Sequence, residues 1–194
     1  GATCRSIGAA VSHRGLWLLR LEGEERAELE ARRGDARRVV LDEWSALHRV
    51  PSGALSLLVE ERLIEESAEA VEQQVSGLRG LQELRVLRLT GYHYSYDGIL
   101  LPIGVVVALA DALACLASLE VLDLLGVKLG PEGAAALAQC LPSLTRLVSL
   151  DLRNTRLEDG GVACLVPALR CLAMLQWLSV GHNTIRRQGA EELA

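Results

Sequence analysis

The sequence predicts an α/β solenoid, with a curved parallel sheet inside, helices outside and an α-rich cap at its N-terminal end. Three observations carry this expectation. The patterns Leu119-x-x-Leu122-x-Leu124, Leu147-x-x-Leu150-x-Leu152 and Leu175-x-x-Leu178-x-Val180 recur at a fixed offset of 28 residues. Each is followed by a hydrophobic residue (Leu129, Leu157, Ile185), a glycine (Gly133, Gly161, Gly189) and an apolar run. Within each unit the apolar period is two at first, as in a strand, and then 3.6, as in a helix. A lone strand and helix cannot bury their apolar faces, so stacked neighbours must bury them together.

Taken in chain order, residues 1–77 read as a mixed, mostly helical capping region. Gly15 to Leu21 and Arg38 to Asp42 suit strands, and Glu24 to Arg33 is charged and helix-favouring. Pro51-Ser52-Gly53 breaks the chain. Ala54 to Val75 then reads as one long amphipathic helix, with Leu57, Leu58, Leu63, Ile64, Ala68, Val71 and Val75 near one face. Its acidic residues, Glu60, Glu61, Glu65, Glu66, Glu69 and Glu72, are expected to face water. Leu16-x-x-Leu19-x-Leu21 offers a different reading, a degenerate repeat, with Trp17 and Trp44 anchoring cap to arc. Residues 78–194 hold about four repeat units, the last truncated. The first begins at Leu84-x-x-Leu87-x-Leu89, which precedes Leu119 by 35 residues, so seven are inserted near Tyr92 to Leu100.

The repeat resembles the ribonuclease-inhibitor-like class of leucine-rich repeats, Leu-x-x-Leu-x-Leu-x-x-Asn-x-Leu-x-x-x-Gly, over residues 78–194. Asn183 stands at the asparagine position of the last unit, where Thr155, Val127 and Tyr92 stand in the others. The resemblance implies an asparagine ladder that bonds backbone between turns, here incomplete. It also implies a binding module, since such arcs hold other proteins; some activate small GTPases.

Composition narrows the function further. Net charge is −5; residues 1–77 hold ten arginines against fourteen acids, and the remainder ten basic residues against eleven. No polyanion footprint exists, so nucleic acid is a poor partner. The most apolar run, Ile99 to Leu109, is too short to span a bilayer, so no membrane insertion is expected. No signal or transit peptide is evident. The five cysteines (Cys4, Cys115, Cys140, Cys164, Cys171) are odd in number and lie mostly on predicted helices. They read as buried, reduced thiols of an intracellular, cytoplasmic protein, or an organellar one if a leader is removed. No metal-ligand spacing, phosphate loop or catalytic constellation is present, so the expectation is no enzyme and no cofactor.

Strand residues between the leucines should line the inside of the arc. One ladder runs Arg88, Asp123, Asp151, Ser179; another runs Val86, Val121, Ser149, Trp177. Adjacent members would lie about 4.8 Å apart. The paired carboxylates need a cation, supplied internally by Arg88 and Arg153 or by a partner. Exposed Trp177 is a candidate anchor, or it packs under a C-terminal neighbour. Tyr92, His93, Tyr94 and Tyr96 form a loop that either binds or packs over the arc. Arg85, Glu120 and Leu125 complete the candidate protein-binding set. The primary expectation is a protein-interaction module or scaffold, a subunit of a larger assembly. The alternatives are the sensing region of an innate-immune receptor or effector, and a small-GTPase-activating module. Either further repeats or another subunit is expected to cover the C-terminal end.

Overall fold

Seven parallel strands hydrogen-bond side by side in the order β1 (Leu18–Leu21), β2 (Arg38–Leu41), β3 (Ser56–Glu60), β4 (Val86–Thr90), β6 (Val121–Asp123), β8 (Ser149–Asp151) and β9 (Trp177–Ser179). A second, two-stranded parallel sheet pairs β5 (Ile99–Leu100) with β7 (Val127–Lys128). The computed structural model describes residues 18–21, 38–41, 47–48, 50, 52–60, 68–90 and 99–193. Parallel neighbours require a crossover. Among the described residues, four of these crossovers carry helices: α1 (Ala68–Ser76), α2 (Ile103–Leu113), α3 (Gly130–Cys140) and α4 (Glu158–Leu169); α5 (Arg187–Leu193) follows β9.

One face of the sheet meets the helices. Leu57, Leu87, Leu122 and Leu150 pair in register across β3, β4, β6 and β8, and all four are fully buried. Leu178 completes the row and is partly buried. The helices supply the other side of this core, through Val71 and Val75, Val106 and Leu109, Ala134 and Leu137, and Val162 and Leu165. The repeated glycine has a packing reason. A Cβ on Gly133 would come within 3.1 Å of Val106 Cγ1, and one on Gly161 within 3.1 Å of Ala134 Cβ. Neighbouring helices thus approach through these two positions, which no larger residue fits unshifted.

Asn183 ties the last two units together. It is 2% exposed, and its Nδ2 donates to the carbonyls of Leu152 and Val180. Its Oδ1 accepts from Thr155 N at 2.7 Å and Leu157 N at 3.3 Å. Thr155, at the same position one unit earlier, makes fewer bonds: its hydroxyl lies 2.7 Å from Leu152 O in its own unit and 3.1 Å from Asn183 Oδ1 in the next. The turn after β6, β8 and β9 also repeats. Gly126, Asn154 and His182, 28 residues apart, all adopt left-handed φ of 78°, 57° and 59°. Lys128, only 4% exposed, donates from Nζ to Asn154 O at 2.9 Å and to its Oδ1.

Several expectations change. Ala54 to Val75 is not one helix: Ser56–Glu60 is strand β3, and the described helix covers Ala68–Ser76. Ala54, Leu57 and Val59 are buried, repeating the spacing of Leu84, Leu87 and Leu89. Strands β1 and β2 fall in the stretches expected as strands, Gly15 to Leu21 and Arg38 to Asp42; with β3 they extend the sheet by three strands among the described residues before 78, where a mostly helical cap was expected. Helix α1 packs on α2 just as α3 packs on α4. Ile99, not Tyr92, occupies the asparagine position of its unit, because it pairs with Val127. The seven inserted residues therefore fall before Ile99. The thiols are corrected too. Cys140 alone of the four described is buried; Cys115, Cys164 and Cys171 are exposed. Each helix buries a single face, and these three lie off it, Cys115 and Cys171 just beyond the ends of α2 and α4. Burial pushes the Cys140 thiol up to about 12. Trp17, Trp44, Cys4 and the expected helix at Glu24 to Arg33 lie outside the described residues. Among the described residues, no helix is long and apolar enough to cross a membrane.

Candidate interaction surface

Residues between the buried leucines point to the face of the sheet that carries no helix. Their register matches the predicted ladders. Arg88 pairs with Asp123, Asp123 with Asp151, and Asp151 with Ser179. Val86, Val121, Ser149 and Trp177 form the second row. Arg85 and Arg88 are exposed, while Glu120, Asp123, Leu125 and Arg153 are half-buried. Arg85 and Glu120, each just before one of the neighbouring strands β4 and β6, approach to 3.7 Å as a partly exposed ion pair. Such pairs hold side chains in place more than they stabilise. Tyr92, His93, Tyr94 and Tyr96 lie outside the described residues.

Asp123 and Asp151 do the same local work and differ in their partners. Each accepts from the backbone N–H two residues on: Leu125 N at 3.1 Å and Arg153 N at 3.0 Å. A carboxylate so placed closes a turn and ends the strand. Asp151, 4% exposed, is also clamped by its own unit, as Arg153 Nε and Nη2 reach its oxygens at 2.6–3.0 Å. No described residue clamps Asp123 in this way. Burial pushes the Asp123 carboxyl above the usual 3.8, and Asp151 adds to the rise; Leu125 N–H, Arg88 and Arg153 oppose it. The folded chain therefore binds more protons than the unfolded chain between 3.8 and the raised value. This contribution to stability is present below 3.8 and lost as pH rises through the folded pKa. Asp123→Asn removes that loss. Its melting temperature should exceed that of the unmodified protein at pH 7, and the two should converge below about pH 3.8. Thermal unfolding across that range checks this; a variant less stable at pH 7 would refute it.

Trp177 is 46% exposed on β9, at the end of the apolar row. A large indole half in water, in one row with Ser149, Val121 and Val86 and beside a charged row, has the composition of an interface core beside its polar rim. The sequence reading missed two members of this face, Ser56 and Leu58. Both are half-buried and sit in register with Val86 and Arg88. The spacing Ala54-x-x-Leu57-x-Val59 was the available signal.

A leucine-rich repeat family profile matches residues 143–166. That stretch runs from the end of the 3-10 turn after α3, through β8, into α4. Comparison with curated proteins gave no match.

Proposed function

We propose that this chain is a non-enzymatic protein-interaction module that holds a protein partner on the helix-free face of its sheet. The leucine-rich repeat over residues 143–166 supports protein binding in general. The observation that carries the specific reading is Trp177, 46% exposed and in register with Ser149, Val121 and Val86. The adjacent row offers Arg88 and Asp123 for polar contacts around that anchor. We read the stacked units as a solenoid of the ribonuclease-inhibitor-like class, serving as a scaffold or a subunit of a larger assembly. The fixed 28-residue offset supports the class. Three exposed free thiols support a reducing, intracellular setting.

The test is purification of the tagged full-length protein from its native cells, with cross-linking, beside a Trp177→Ala variant. We expect a stoichiometric partner cross-linked to the strands between Arg85 and Trp177. In the variant, affinity should fall by at least ~1 kcal/mol with thermal unfolding unchanged. Unchanged affinity, or cross-links confined to the helices, would remove the sheet face from consideration.

A further inference from the structure

The opposite side of the fold carries a groove of about 600 Å³ between α1 and α2. Its walls include Glu69, Glu72 and Gln73 of α1, and Ile103, Gly104 and Val107 of α2. Ile103 and Val107 are 53% and 44% exposed, among the few large apolar side chains left in water in the described residues. They stand four residues apart, so they lie one above the other on the same helix face. Glu69 and Glu72, three apart, share a face of α1. Neither has an ion-pair partner among the described residues. The groove is not acidic throughout, because Arg79 is held by Asp111 at 3.5 Å. Gly104 lets the two helices close up, since the Glu72 carboxylate occupies the space a Cβ there would need.

We propose that this groove docks a cationic amphipathic helix from a protein partner, at a site separate from the sheet face. A third helix laid along two packed helices presents apolar residues at helical spacing, which Ile103 and Val107 match. Lysines or arginines flanking that stripe meet the two carboxylates. The same carboxylates repel phosphates, so they disfavour nucleic acid and anionic membrane surfaces as occupants.

The probe is a labelled peptide of leucine and lysine with leucines at helical period, compared with a scrambled peptide of identical composition. Fluorescence anisotropy should show saturable binding of the amphipathic peptide and much weaker binding of the scrambled one. Affinity should fall about tenfold in Ile103→Ser with Val107→Ser. Glu69→Gln with Glu72→Gln should weaken binding and flatten its salt dependence. Trp177→Ala should leave binding unchanged. Equal binding of the scrambled peptide would mean general attraction to an acidic protein and would overturn the proposal. So would unchanged affinity in both variants, no binding at all, or displacement of the peptide by phosphatidylserine vesicles. Circular dichroism checks folding, and if one variant pair unfolds the other pair decides.

Discussion

Leu150→Ala is expected to destabilise the protein by about 2–5 kcal/mol, among the largest losses of any single truncation in the chain. Leu150 is fully buried on β8, paired in register with Leu122 on one side and Leu178 on the other. Truncation removes apolar contact with both neighbouring units and leaves a void between them, since a stacked sheet cannot collapse along its own hydrogen bonds. Leu178→Ala supplies the internal control. It removes the same atoms from the same row, but Leu178 is only partly buried, so its loss should be smaller, about 1–2 kcal/mol. Chemical denaturation of both variants checks the pair. Equal losses would mean that the row does not draw its stability from burial between units.

The comparison of sequence with structure turns on how strongly each unit expresses its period. From Leu84 onward every inward position of the Leu-x-x-Leu-x-Leu pattern is leucine or valine while the outward ones are mostly polar or charged, so strands, register and ladders were legible. The predicted rows through Asp123 and Trp177 stand in the register the spacing required. Strand β3 was not legible, because Leu57-Leu58-Val59 is a continuous apolar run without alternation. Such a run cannot be told from helix by period alone. Ala54 in place of the first leucine, and Ile64, Ala68, Val71 and Val75 further along, completed the false helix. Tyr92 was misplaced for a different reason. Counting forward from Leu84 crosses the insertion, whereas counting back from Val127 does not. The thiols misled because an apolar run marks a helix without saying which of its faces is buried. On the candidate surface, sequence placed Asp123 and Asp151 side by side but could not show that the clamp reaches only one of them.

That asymmetry yields a second large expectation: Arg153→Ala should cost about 2–3 kcal/mol. Arg153 grips both oxygens of Asp151 through Nε and Nη2, and the Asp151 side chain is 6% exposed. Removing the guanidinium leaves a buried carboxylate with Arg153 N as its remaining hydrogen-bond partner among the described residues, and Asp123 next to it. Removing one member of a fully buried pair costs about 3–5 kcal/mol. The lower figure applies here because the Arg153 side chain is 43% exposed, so water replaces part of what is lost. One readout separates charge from packing. Asp151→Asn added to Arg153→Ala should recover more than half of the loss, because the neutral amide keeps the turn and needs no cation. No rescue by Asn would place the loss in the packing of the arginine stem instead. If the charge account holds, Asp151 is neutralised within its own unit. Of the paired carboxylates, the one left without a clamp among the described residues is then Asp123, which lies in register between Asp151 and exposed Arg88.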